Sequence, residues 1–136
     1  MQIVKKYQNE IYGMAFSLTC NEQTSRKAAI KAFENLLRSY YADLPEIKTE
    51  LYKKLLKNIG FFDIKKKDLN KKGMINSIKH NLRLFDKKVF ILKYEFNCSL
   101  KDMSYILNSS EDKIKKSLYK SVQRIAQMLE DGENEM

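Results

Sequence analysis

Apolar residues recur at intervals of three and four along nearly the whole of this 136-residue chain. That spacing places them on one face of an α-helix, whereas a half-buried strand needs alternation, which no segment shows convincingly. Four glycines and one proline are also too few for a turn-rich β-sandwich. We therefore predict an all-α fold.

The first half of the chain is predicted to form one small helical module, residues 1–64. Its first helix covers about residues 2–20, and a polar break with capping residues separates it from a second helix at about 24–41. A third helix carries one apolar face that is made of Ile47, Leu51, Leu55 and Ile59.

A short basic linker is predicted at residues 65–73, because this segment contains one apolar residue in nine. The second module covers residues 74–130, and the tail 131–136 is expected to fray. Before residue 99 this module is predicted to contain two helices. Their apolar residues are Ile75, Ile78, Leu82 and Phe85 in the first, and Val89, Phe90 and Leu92 in the second.

Residues 99–126 have the pattern of a helix-turn-helix. A capping box at 99–102 starts a short helix, Asn108 can adopt the left-handed conformation that ends it, and residues 109–112 cap a longer helix. This order is typical of a DNA-binding helix-turn-helix, although an ordinary helical hairpin with a basic solvent face has the same pattern. The buried stripe of the longer helix is predicted to contain Ile114, Leu118, Val122 or Ser121, and Ile125.

Positive charge is concentrated in two segments of a chain whose net charge is +9. Residues 53–72 carry a net charge of +6 and residues 111–126 carry +3, whereas the tail 127–136 carries −4. A charged run is often only a solvated face, but two basic segments, one of them on the longer helix, favour nucleic acid. The predicted contacts to phosphates and base edges on that helix are Lys113, Lys116, Ser117, Lys120 and Gln123.

Enzymatic chemistry is not expected. One histidine and two cysteines are too few for a zinc finger or a nucleophile with its base, and the glycines are isolated, so we predict no metal and no cofactor. No transmembrane or signal segment is predicted, and Cys20 and Cys98 are interpreted as reduced thiols of a cytoplasmic protein without a membrane partner.

From about residue 5 to residue 130 the chain resembles bacterial sigma factors of the small, extracytoplasmic-function type. Residues 82–129 are similar to region 4, with Ile114-Lys115 at the Val-Lys of that family, Lys120 at an Arg and Asp102 at a Glu. The resemblance implies that this module reads the −35 promoter element, and it adds Lys115 to the DNA contacts.

Residues 7–40 and 51–67 resemble region 2 more weakly. The sequence LYKKLLKNIGFFDIKKK is similar to the stretch that melts and reads the −10 element in that family. The resemblance implies DNA contacts from Lys54, Lys57, Asn58, Lys65, Lys66 and Lys67.

The helix that docks on RNA polymerase in this family carries acids and a glutamine, where the present chain has basic and apolar residues. Lys27 stands at an acid and Ile30 at the glutamine. The resemblance assigns this surface to Lys27, Ile30, Lys31 and Phe33. Because a basic surface fits a site for acidic groups poorly, we expect weak binding to core polymerase alone, with a partner protein supplying the missing contacts.

Two classes of function follow from these features. The first is a sigma-like factor that binds duplex promoter DNA and directs core RNA polymerase to it. The second is a sigma-like regulatory or partner-subunit protein that acts by contacting another protein, such as an anti-sigma factor. A simple helix-turn-helix regulator lies between them.

Overall fold

A computed structural model of the protein describes residues 2–38, 46–60, 63 and 82–134. All regular secondary structure among these residues is helical and no strand occurs there, so the predicted all-α fold is confirmed. None of the described helices is long and apolar enough to cross a membrane.

The chain divides into two compact units. The first unit comprises residues 1–65 with 105–108, and the second comprises 66–104 with 109–136. The predicted linker at 65–73 lies outside the described residues, so the predicted module boundaries stay a prediction.

Three helices pack together in the first unit: α1 (Gln2–Thr19), α2 (Glu22–Arg38) and α3 (Ile47–Asn58). Each helix buries most of the apolar face that its sequence spacing predicts, with Leu37 of α2 as an exposed exception. The buried side chains at the centre of this unit include Ile11, Met14, Leu18, Ala32, Leu36, Leu51 and Leu55.

The turn between α1 and α2 is closed by polar side chains. Cys20 adopts the left-handed conformation, with φ 56°, and ends α1. The Asn21 Oδ1 atom accepts a hydrogen bond from the backbone N–H of Thr24 at 2.9 Å. Because Asn21 supplies this cap, α2 begins at Glu22, two residues earlier than predicted.

The described part of the second unit consists of α4 (Leu84–Phe90), a π-helical turn (Ile91–Glu95), α5 (Leu100–Leu107) and α6 (Glu111–Asn134), with residues 105–108 grouped in the first unit. The prediction that Phe85 continues a helix from Ile75 is wrong. Arg83 is extended, with φ −66° and ψ 159°, so Phe85 belongs to the new helix α4.

Candidate nucleic-acid interface

A short helix, a turn and a long helix follow one another where the sequence predicts them. The Ser99 Oγ atom accepts a hydrogen bond from the backbone N–H of Asp102 at 3.1 Å and caps α5. Asn108 is left-handed, with φ 49°, and Ser110 Oγ accepts the backbone N–H of Lys113 at 3.1 Å to cap α6. Both capping predictions are confirmed, whereas the DNA-binding role of this helix pair stays a prediction.

Serine side chains also close the turn before α6 and build the buried face of α6. The Ser104 hydroxyl donates to the carbonyl oxygen of Ser109 at 2.5 Å, which holds the turn to the preceding helix. On α6, the Ser117 hydroxyl donates to Asp86 Oδ1 on α4 at 2.6 Å, and the Ser121 hydroxyl donates to the Ser117 carbonyl oxygen at 3.1 Å. Small hydroxyl side chains at these positions let α4 and α6 pack closely and satisfy a buried carboxylate.

Ser117 is therefore not a DNA contact, and that prediction is wrong. Its side chain lies against α4 and the residue is only 3% exposed. The same packing decides the buried stripe, because Ser121 is buried and Val122 is exposed. Ile114 lies in the core as predicted.

Lysines make the exposed face of α6 basic. At about 100° per residue, Lys113, Lys116 and Lys120 lie within an arc of about 60°, which we call the basic arc. All three residues are exposed. The Lys113 ammonium lies 4.5 Å from the centre of the Phe85 ring, a cation–π contact that orients this side chain. Lys115 is exposed too, but it points about 100° away from Lys116.

A cleft of about 400 Å³ adjoins the basic arc where the start of α4 meets α6. Its lining consists of the cations Arg83, Lys120 and Arg124, the amides Gln123 and Gln127, the carboxylate Asp86, and Leu82. The cations outnumber the carboxylate, which already accepts the Ser117 hydroxyl, so the cleft suits an anionic group such as a phosphate. The sequence reasoning missed Arg83 and Arg124, although Arg124 follows Lys120 by four residues and so lies near it on the helix.

The residues predicted to contact a −10 element are not brought together in the same way. Lys54 is half-buried, with its Nζ atom 3.5 Å from Glu50 Oε1. The Asn58 side-chain amide donates to the Lys54 carbonyl oxygen at 2.9 Å, so it serves the last turn of α3. Lys57 is exposed, and Lys65, Lys66 and Lys67 lie outside the described residues.

The predicted partner surface on α2 is exposed at three of its four residues, namely Lys27, Ile30 and Lys31. Phe33 is buried in the core of the first unit, so the prediction that it contacts a partner is wrong. It lies only about 60° around the helix from Ile30, but on the side of the buried Ala29 and Ala32.

Helical spacing groups Leu37 with the apolar face of α2, but the structure exposes it. Ile30 is 52% exposed and Leu37 is 46% exposed. Their spacing of seven positions makes about two turns, so both side chains lie on the same face. Two apolar side chains are therefore exposed on the surface that carries Lys27.

No protein-family model and no curated protein matches this chain. Among the residues that the structure describes, no group of three or more His, Cys, Asp or Glu side chains is placed to hold a metal ion. The function is therefore inferred from the contacts and charges of the two units themselves.

Proposed function

We propose that this protein is a sigma-like DNA-binding transcription factor that contacts duplex promoter DNA through α5 and α6. The observation that carries the proposal is the basic arc of Lys113, Lys116 and Lys120. It is exposed on one face of a capped helix and adjoins a cleft that holds Arg83 and Arg124. A cationic helix face of this kind matches the charge of a DNA groove.

The two sets of cations have different tasks in this mechanism. Arg83 and Arg124 bind backbone phosphates beside the cleft and fix the position of α6 on the duplex. Lys116 and Lys120 then reach the base edges of the major groove, together with the amide of Gln123. Ser117 supports the interface from behind by holding α6 to Asp86.

A second candidate function is protein–protein contact through α2. Ile30 and Leu37 are exposed on one face of α2. This exposure favours protein–protein contact, because burying apolar side chains against a partner lowers the free energy. Lys27 and Lys31 near this face fit a partner that offers carboxylates around an apolar centre. Under this function the chain reaches RNA polymerase, or another regulator, through that partner.

Fluorescence anisotropy of labelled duplex DNA at a series of salt concentrations tests the first function. Each lysine that neutralises a phosphate contributes about 0.9 to the steepness of the log–log salt dependence. We expect Lys116→Ala and Lys120→Ala each to weaken binding. If the lysine contacts a phosphate, its removal should lower the slope by about 0.9. If it reads a guanine, its removal should cost about 1–3 kcal/mol of binding at a single base position.

Lys54→Ala is the matched control, because it removes the same charge from a helix where the ammonium already lies beside Glu50. Its binding and salt slope should equal those of the unchanged protein. Equal losses in the control and in the α6 variants would place DNA on another surface. Binding that does not respond to salt would overturn the proposal.

A pull-down with core RNA polymerase tests the second function. We expect weak or no capture of the chain alone. Ile30→Glu should abolish capture by a partner that covers α2, whereas it should leave DNA binding unchanged. Tight stoichiometric binding to core polymerase without a partner would restore an ordinary sigma factor.

A further inference from the structure

The second half of α6 exposes a strip of apolar side chains that the proposed DNA interface does not use. Tyr119 is 65%, Val122 51% and Leu129 46% exposed, and Ala126 is exposed between them. These four residues, the apolar strip, are spaced by three, four and three, which is the repeat of a coiled-coil seam. Single exposed apolar residues are normal, but a strip with this repeat marks a surface for another helix.

The strip continues the apolar face of α6 beyond its contact with α4. Leu118 and Ile125 are half-buried and lie on the helix between the strip and the buried Ser121. A helix placed on the strip would therefore meet an apolar surface that covers about a third of the circumference of α6.

Charge along α6 selects the orientation of the occupant. The net charge is +3 over residues 111–126 and −4 over 127–136. Lys115 and Lys116 lie beside the start of the strip, and Glu130 lies beside its end. A second α6 in antiparallel orientation brings opposite charges together, whereas a parallel one brings lysine to lysine and acid to acid.

We propose that the apolar strip is the interface of an antiparallel homodimer, in which α6 pairs with α6 of a second copy about a twofold axis near residue 124. In this arrangement Val122 faces Ala126 of the second copy, and Tyr119 faces its Leu129. Lys116 lies within about one helical turn of Glu130 of the second copy. The same patch serves both copies, as a twofold interface requires.

The dimer keeps Lys113 and Lys120 of the basic arc outside its interface, whereas Lys116 lies at the edge of both proposed surfaces. The centre of the strip lies about 130° around α6 from the centre of the basic arc, so Lys113 and Lys120 stay exposed in the dimer. An interface of one helix per copy is small, and we therefore expect a reversible, concentration-dependent dimer.

Sedimentation velocity of the full chain over a wide concentration range tests the proposal. The unchanged protein should shift from monomer to dimer as its concentration rises. Val122→Glu should weaken dimerisation at least about tenfold, since it places a carboxylate against an apolar surface in both copies. Gln127→Glu adds the same charge to an exposed residue on another face of α6 and should leave dimerisation unchanged.

Leu129→Glu provides a second variant, with circular dichroism showing that each protein keeps its helix content. It should weaken dimerisation as Val122→Glu does. A protein that stays monomeric at every concentration would overturn the proposal, and so would equal weakening by Gln127→Glu.

Oxidative cross-linking tests the orientation. Cys20→Ser and Cys98→Ser first remove the native thiols, and Val122→Cys and Ala126→Cys are then made in separate chains. An equal mixture should form mainly disulfides between the two different chains, because residues 122 and 126 face each other in the antiparallel pair. Cross-links mainly between identical chains would show a parallel pair and overturn the proposal.

Discussion

The helices α3 and α6 each carry four lysines, but the two helices hold their charges in different surroundings. On α3, Lys48 lies 3.3 Å from Glu10, Lys54 lies 3.5 Å from Glu50, and the Lys53 ammonium lies 4.0 Å from the centre of the Tyr105 ring. These contacts engage much of the positive charge of α3 within the first unit. Charge counted along a sequence therefore overstates what this helix offers to DNA.

Two of the acidic side chains of α6 lie at its start, where they strengthen the helix. Glu111 and Asp112 are in the first turn, where negative charge is favourable to the helix dipole. Lys116 and Lys120 lie further along, on the exposed face. The same kind of residue thus supports packing on α3 and offers a binding surface on α6.

The largest loss of stability is expected from a substitution in the core beneath the basic arc. Ile114→Ala removes a fully buried side chain from beneath α6 and should lower the free energy of unfolding by about 2–5 kcal/mol. Urea unfolding followed by circular dichroism measures this loss of unfolding free energy. Ile30→Ala, at an exposed site on α2, should change stability by no more than about 0.5 kcal/mol. Similar losses of stability in both variants would show that Ile114 contributes no more to the fold than an exposed residue.

A smaller loss is expected from the hydrogen bond between α4 and α6. Ser117→Ala leaves the buried Asp86 carboxylate without this donor and should cost about 1–3 kcal/mol in urea unfolding. Ser121→Ala removes a bond to a neutral carbonyl oxygen and should cost only about 0.5–1.5 kcal/mol. The reverse order would show that the carboxylate does not depend on Ser117.

Substitution of Asn58 on α3 distinguishes a side chain that stabilises the helix from one that contacts DNA. Asn58→Ala should cost about 0.5–1.5 kcal/mol of stability, because its amide satisfies the Lys54 carbonyl oxygen in the last turn. DNA affinity, measured by anisotropy, should stay the same. A loss of DNA affinity with unchanged stability would instead place Asn58 at the DNA.

The smallest effect on stability is expected at Lys116. Lys54→Ala removes the cation beside the buried Glu50 carboxylate, four residues earlier, and should cost about 1–3 kcal/mol of stability. Lys116→Ala should leave stability unchanged while it lowers DNA affinity. Thermal unfolding and anisotropy on the same two variants give both quantities. If Lys54→Ala also lowered DNA affinity, the charges of α3 would not be engaged as the structure indicates.

Local patterns in the sequence determined the three helices of the first unit, the helices α5 and α6, the caps at Ser99 and Ser110, and the left-handed Asn108. Spacing, capping and turn conformation depend on residues within one or two helical turns, so they can be predicted from neighbours in the chain. The exposed positions of Lys113, Lys116 and Lys120 follow from the same spacing.

Only the tertiary structure decided which of two neighbouring residues is buried and which polar side chains already have a hydrogen-bond partner. Ser117 lies against α4, where Asp86, 31 residues earlier, accepts its hydrogen bond, and Ser121 is fully buried whereas its neighbour Val122 is exposed. Phe33 is buried and Arg83 lines a cleft for reasons of the same kind. Helical spacing predicts the buried face of a helix only to within one residue position. The helix that packs against this face, which can be distant in the sequence, decides which of the residues at the edge of the face are buried.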